Sequence, residues 1–181
     1  GTEEWSTSLP DRVASSATVV NGTVYVGNND NSLYALDADT GTEEWSASTS
    51  GSVASSPTVA DGTVFVGSGD GSLYAFDATT GAEDWSFATG SSVDSSPTAT
   101  NGIIYVGSND NSLYAIDAAT GTEEWSATTG DVVFSSPTVA GGTVYVGSND
   151  NSLYAFDAVT GTEQWSTATN DRFRSSPTVV D

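Results

Sequence analysis

The chain has 181 residues, with 24 aspartates and glutamates against three arginines, no lysine and no histidine, for a formal charge of −21. That balance argues against nucleic acid and anionic membrane surfaces as partners. Without Cys or His, thiol chemistry, zinc sites and serine-type triads are excluded from this segment, and no apolar run approaches the roughly 20 residues that span a bilayer.

The chain opens on GTEEWS (Gly1 to Ser6), which returns at Gly41 to Ser46 and Gly121 to Ser126, with near-copies at Gly81 to Ser86 and Gly161 to Ser166. All five tryptophans stand 40 residues apart. A fixed period of that length predicts a repeat architecture. The expected units are a partial blade at 1–8, whole blades at about 12–48, 52–88, 92–128 and 132–168, and the inner strand of a further blade at 174–181. A chain that starts without Met and inside a unit is expected to be a processed or excised piece of a longer protein.

Within one unit the elements follow in order. Ser55 to Ala60 (SSPTVA) leads through Asp61-Gly62 to Thr63 to Gly67 (TVFVG). A polar turn at Ser68 to Gly71 precedes Ser72 to Asp77 (SLYAFD), and a Thr-Gly turn precedes Glu83 to Ala88. This predicts four short strands per unit. The first turn reads Asn21-Gly22, Asp61-Gly62, Asn101-Gly102 and Gly141-Gly142, pairs suited to a type I′ hairpin. Both faces of TVFVG and SLYAFD are apolar, which predicts sheets covered on both sides, as when blades stack around an axis. Paired-helix repeats are excluded by the β-branched and turn residues, and leucine-rich repeats by the longer period. The expected fold is all-β, a β-propeller of four-stranded antiparallel blades. Apolar patterning throughout implies a folded protein with an acidic skin rather than disorder. Such a skin repels itself unless salt screens it, with a Debye length of about 3 Å at 1 M, and the composition resembles that of proteins from extreme halophiles.

The stretch Ala75 to Trp85 is similar to the tryptophan-docking motif A-x-D-x-x-T-G-x-x-x-W of the PQQ-like repeat propellers. It recurs at Ala35 to Trp45, Ala115 to Trp125 and Ala155 to Trp165, with Gly1 to Trp5 as the tail of another copy. The resemblance implies that Trp5, Trp45, Trp85, Trp125 and Trp165 lie between blades. It also implies that Asp37, Asp77, Asp117 and Asp157, with the following Thr, brace a turn shaped by Gly41, Gly81, Gly121 and Gly161. The family holds quinoprotein alcohol and sugar dehydrogenases, BamB-type assembly lipoproteins and many non-catalytic propellers, so the motif implies a fold and leaves the activity open. Its members usually close with seven or eight blades, against which this chain is about half a ring. The remainder lies elsewhere, or a second copy supplies it, or the chain closes as a small propeller.

Positions that differ between blades are the freest to build a unique site. The strongest variation precedes the inner strand: Asp11-Arg12-Val13-Ala14, Gly51-Ser52-Val53-Ala54, Ser91-Ser92-Val93-Asp94, Asp131-Val132-Val133-Phe134 and Asp171-Arg172-Phe173-Arg174. In a propeller this loop lies at the channel mouth, so Arg12, Asp94, Phe134, Arg172, Phe173 and Arg174 form the candidate partner surface, for an acidic peptide, a carboxylate or another anion. The other reading pairs the arginines with Asp11, Asp94, Asp131 or Asp171 as local surface bridges. Asn29-Asp30-Asn31, Asn109-Asp110-Asn111 and Asn149-Asp150-Asn151 resemble calcium-loop fragments but lack the glycine and closing glutamate of that pattern. Gly69-Asp70-Gly71 fills the same slot, so a plain turn is expected. In Asp37-x-Asp39-x-Gly41-x-Glu43, Asp39 becomes Thr79, Ala119 and Val159 in the other units, so no metal site is expected there. Asn21-Gly22-Thr23 fits the N-glycosylation pattern, and the hairpin explains the same Asn-Gly pair.

These readings together describe a non-catalytic scaffold with protein partners, at the surface of a salt-adapted cell or outside it, lipid-anchored in the longer protein and able to self-associate to complete its ring. The alternative is part of a PQQ-dependent alcohol or sugar dehydrogenase, needing PQQ, calcium and an acidic base, for which Asp94 is the lone acid at a variable channel-facing position.

Overall fold

The computed structural model describes residues 1–179. They form four sheets and no helix. Blade 1 holds β1 (Thr18–Val20), β2 (Thr23–Asn28), β3 (Ser32–Asp37) and β4 (Glu43–Ser48). Blade 2 holds β5 (Thr58–Ala60), β6 (Thr63–Gly67), β7 (Ser72–Asp77) and β8 (Glu83–Ala88). Blade 3 holds β9 (Thr98–Thr100), β10 (Ile103–Gly107), β11 (Ser112–Asp117) and β12 (Glu123–Thr128). Blade 4 holds β13 (Thr138–Ala140), β14 (Thr143–Ser148), β15 (Ser152–Asp157) and β16 (Glu163–Ala168). Each sheet is an antiparallel meander in chain order, and β1, β5, β9 and β13 meet one another in succession, which makes them the inner strands.

Local chemistry accounts for the hairpins. Both central residues of the first turn have positive φ in every blade, for example 51° and 84° at Asn21 and Gly22, which matches the right-handed twist of the flanking strands. The second turn also needs one left-handed residue, and Asn31, Gly71, Asn111 and Asn151 supply it with φ between 71° and 93°. This requirement explains why Asn and Gly exchange there. A register shift after Ala35, Ala75, Ala115 and Ala155 sets each of them opposite the tryptophan of its outer strand.

The inner strands are shorter than the sequence suggests. β5 begins at Thr58 rather than Ser55, because Pro57 has no N–H for a ladder and the serines before it bond elsewhere. Ser55 Oγ accepts the amide of Gly67 within its blade, and Ser56 Oγ accepts the amide of Ser16 in the preceding blade at 3.0 Å. The series repeats from Ser56 N to Ser96 Oγ, Ser96 N to Ser136 Oγ and Ser136 N to Ser176 Oγ. Thr18, Thr58, Thr98 and Thr138 likewise donate their hydroxyls to the proline carbonyl of the next unit, each at 2.6 Å.

The core lies in the seams between blades. One cluster joins Tyr25, Leu33, Ala35 and Val53 to Val64, Val66, Tyr74 and Phe76 across blades 1 and 2, and equivalent clusters join blades 2 and 3 and blades 3 and 4. The seams are tight enough that a Cβ on Gly107 would lie 2.6 Å from the Val133 carbonyl oxygen, so only glycine fits.

The two ends differ from the four blades. Residues 1–9 contain no strand, yet Trp5 lies on blade 1 and Leu9 packs against its Val26, Tyr34 and Leu36. Residues 174–179 contain no strand either; residues 180 and 181, the last two of the expected inner strand, lie outside the described residues. A strand needs sheet partners, and neither end has its sister strands. The four blades do not close on themselves: Trp5 fills the tryptophan position of blade 1, and Trp165 is left 43% exposed.

Candidate functional site

The repeated polar residues are occupied in holding the blades. Four of the five indoles donate to a carbonyl of the next blade: Trp5 Nε1 to Ala38 O at 2.9 Å, Trp45 to Ala78 at 3.2 Å, Trp85 to Ala118 and Trp125 to Ala158 at 3.1 Å. Tyr25 and Tyr105 donate to Ala78 O and Ala158 O beside the indoles. The ring needs room, and a Cβ on Gly81 would come within 2.6 Å of the Trp45 ring. Gly81 also has φ +70°, so glycine serves both the turn and the contact. That turn is held by Asp77, whose Oδ1 accepts the Thr80 hydroxyl and the amides of Thr80 and Thr79. Asp37, Asp117 and Asp157 do the same. Hydrogen bonds from the Thr hydroxyl and amide hold the pKa of all four carboxyls below the usual range.

The acids that resemble calcium ligands are occupied in the same way. Asp110 Oδ1 accepts the Ser112 amide, and its Oδ2 accepts both the Tyr114 hydroxyl at 2.7 Å and the Gly90 amide of blade 2 at 2.6 Å. Asp70 and Asp150 repeat the pattern. Asp30, with no complete blade before it, holds Tyr34 at 2.6 Å through Oδ2, while its Oδ1 is buried without a partner. Burial raises the Tyr114 pKa, and the Asp110 carboxylate raises it further, to about 12. At Tyr34 the hydrogen bond to Asp30 is the larger cause, again giving about 12. Among the described residues no three acidic side chains gather as a metal site.

The variable tetrads divide by position. The third residue is core in three of the tetrads, where Val53, Val93 and Val133 are fully buried, whereas Val13 in the first is 46% exposed. Phe173 takes the same place, its ring against Gly147 and its amide donating to Ser148 O. An aromatic ring, half-buried, thus stands at the valine position of the repeat. The fourth residue is exposed at Ala14 and Arg174 and half-buried at Ala54, Asp94 and Phe134. Asp94 Oδ2 accepts Asn109 Nδ2 at 2.8 Å, and the Arg174 guanidinium carbon lies 5.7 Å from the centre of the Phe134 ring, within cation–π range.

Arg12 belongs to blade 1, where its carbonyl accepts the Asn29 amide, while Arg172 and Arg174 lie beyond blade 4 at the other end of the arc. Asp11 and Asp171 accept the backbone amides of Arg12 and Arg172. Asn21 is exposed at its hairpin tip. The seam serines, Ser55 and Ser56 and their equivalents, escaped the sequence reading, although their recurrence in every unit was a signal for them.

The family model described as outer membrane protein assembly factor BamB matches residues 1–96 and 88–180. No curated protein matches. Among solved structures, BamB from Moraxella catarrhalis superposes with a TM-score of 0.82 at 23% identity, over 93% of this chain and 54% of that one. The computationally designed Ika8 protein gives 0.80 at 18%, over 91% and 52%. The quinohemoprotein alcohol dehydrogenase ADHIIG from Pseudomonas putida HK5 gives 0.79 at 22%, over 90% and 35%. The chain thus spans about half the length of the BamB structure, 54%. With that family model matching nearly the whole chain, over four-stranded blades with docked tryptophans and Asp-Thr-Gly turns, the chain belongs to the PQQ-repeat β-propeller family to which BamB belongs.

Proposed function

We propose that this propeller segment is a non-catalytic scaffold that binds protein partners at the surface of a salt-adapted cell or outside it. The observation that carries the reading is the division of labour between side chains. The repeated polar groups described above bond within or between blades, while Asp94, Phe134 and Arg174, which differ from unit to unit, lie before the inner strands, with Arg174 exposed beside a half-buried Phe134. Phe134 with Arg174 offers an aromatic and cationic corner on an acidic body, chemistry suited to a carboxylate-bearing peptide. The family match to an assembly factor supports the same reading. No helix among the described residues is long and apolar enough to cross a membrane, so surface attachment would come through a lipid anchor carried by a longer chain. The test is capture of labelled acidic peptides in high salt: loss of binding in the double variant Arg172→Ala with Arg174→Ala supports the corner, and unchanged binding removes it.

The likeness to a quinohemoprotein dehydrogenase keeps a second reading in view. The residues here do not suit a quinone with calcium. Asp94 is the only carboxylate at the fourth tetrad position, it is bonded by Asn109, and its counterparts Ala54, Phe134 and Arg174 bring no second acid. Quinone absorbance and alcohol oxidation after adding PQQ and calcium to the chain would overturn the scaffold reading.

A further inference from the structure

We infer that the groove between blades 2 and 3 binds a small organic amine, with the ammonium held by Asp61, Asp117 and the Ala118 carbonyl and the apolar body by Phe65, Ala99 and Ile103. The groove holds about 400 Å³, within the range of small-molecule sites. It lies where the inner strands end, past Ala60 and Thr100, whereas Asp94 and Phe134 precede those strands. The site is therefore separate from the Phe134–Arg174 corner proposed above.

Departures from the repeat concentrate in this groove. Phe65 stands where the other blades have Tyr25, Tyr105 and Tyr145, Ala99 where they have Val19, Val59 and Val139, and Ile103 where they have Thr23, Thr63 and Thr143. Asp61 opens its hairpin turn in place of Asn21, Asn101 and Gly141. All four line the groove. The fold does not require them, because the other blades build the same turns and sheets without them.

The hydroxyl lost at Phe65 sets the polar chemistry. In the seams on either side, Tyr25 and Tyr105 donate to Ala78 O and Ala158 O, each of which also accepts an indole proton. Ala118 O accepts Trp85 Nε1 at 3.1 Å, and Phe65 brings it no second donor. Burial raises the Tyr105 pKa and the Asp157 carboxylate adds to it, so that carboxylate lies close to the phenol. Asp117 holds the same repeat position beside Phe65. It keeps its own turn through Oδ1, which leaves Oδ2 for a ligand. A carbonyl and two carboxylates, with no basic residue lining the groove, suit N–H donors that carry positive charge. The alanines, Ile103 and the Phe65 ring suit an apolar body. The next groove, between blades 3 and 4, is as large at about 430 Å³. There Tyr105 closes the carbonyl and Asn101 takes the place of Asp61, so the lining and not the volume makes the site.

The experiment is titration of the full chain with benzylammonium chloride in about 1 M NaCl, which screens the acidic skin, followed by backbone amide shifts. Binding moves the amides of Asp61, Gly102 and Ala119 and leaves those of Asn21 and Gly22 in place. Phe65→Tyr installs the hydroxyl that the two flanking seams already carry. It weakens binding about tenfold, as for one hydrogen bond taken from the ligand, and leaves the melting temperature unchanged or higher. Asp61→Asn, which gives the turn found at Asn21 and Asn101, weakens binding about threefold. Benzyl alcohol, the neutral counterpart, binds about tenfold more weakly than the amine. The inference is overturned if benzylammonium moves none of the three amides, if either substitution leaves its affinity unchanged, or if benzyl alcohol binds as well. Tighter binding of Nα-acetyl-lysine methylamide than of benzylammonium also overturns it, since the occupant is then a lysine side chain of a protein.

Discussion

Trp125 and Trp165 share their motif and their aromatic neighbour but differ in what covers them, so truncating each to alanine isolates the energy of docking. A tryptophan side chain buries roughly 150–250 Å². With Trp125 9% exposed and Trp165 43% exposed, burial alone separates the two substitutions by about 2 kcal/mol at roughly 25 cal/mol per Å². The indole bond to Ala158 O adds about 1 kcal/mol to the difference. Trp125→Ala is therefore expected near the top of the roughly 3–5 kcal/mol range for such truncations, and Trp165→Ala about 2–3 kcal/mol below it. Urea unfolding in high salt, followed by far-ultraviolet circular dichroism, measures both. Equal costs for the two variants would refute the view that the tryptophan acts chiefly by docking on the next blade.

Acid stability tests the Asp-Thr turns. The folded pKa of Asp37, Asp77, Asp117 and Asp157 is lowered, so their contribution is full above the ordinary carboxyl pKa of about 3.9 and is lost as pH falls through the folded value. In high salt the melting temperature should hold to about pH 5 and drop below about pH 4; a melting temperature that keeps rising on acidification would contradict this. At the alkaline end Tyr34 and Tyr114, raised to about 12, stabilise fully below the ordinary phenol pKa of about 10, and their contribution is lost as pH climbs through 12. Phenolate absorbance should therefore show these two ionising last, and their ionising with the exposed phenols would contradict the bonds to Asp30 and Asp110. Dialysis into low salt should loosen the chain as its −21 charge loses screening, and unchanged circular dichroism and tryptophan fluorescence there would count against a salt-adapted surface. Gly107→Ala, which drives a Cβ against Val133, should cost more in urea than Gly22→Ala, which meets open space and carries only the strain of φ +84°, about 1 kcal/mol; the reverse order would refute the tight seam.

The period, the hairpins and the tryptophan motif could be read from the chain itself because each depends on residues a few positions apart. Asn21-Gly22 needs only its own φ angles, and Asp77-x-x-Thr80-Gly81 closes its turn with its own side chains. Seam contacts act between units, and one unit read alone does not show them. That Ser56 bonds the preceding unit while Ser55 bonds its own, that Phe173 fills a valine's place, and that the arginines separate to opposite ends follow only from placing residues 40 apart side by side. The ends show the division most clearly. GTEEWS and GTEQWS read alike, yet Trp5 is docked and Trp165 is half bare, because a docked indole needs the following blade, and the sequence of the motif does not contain it.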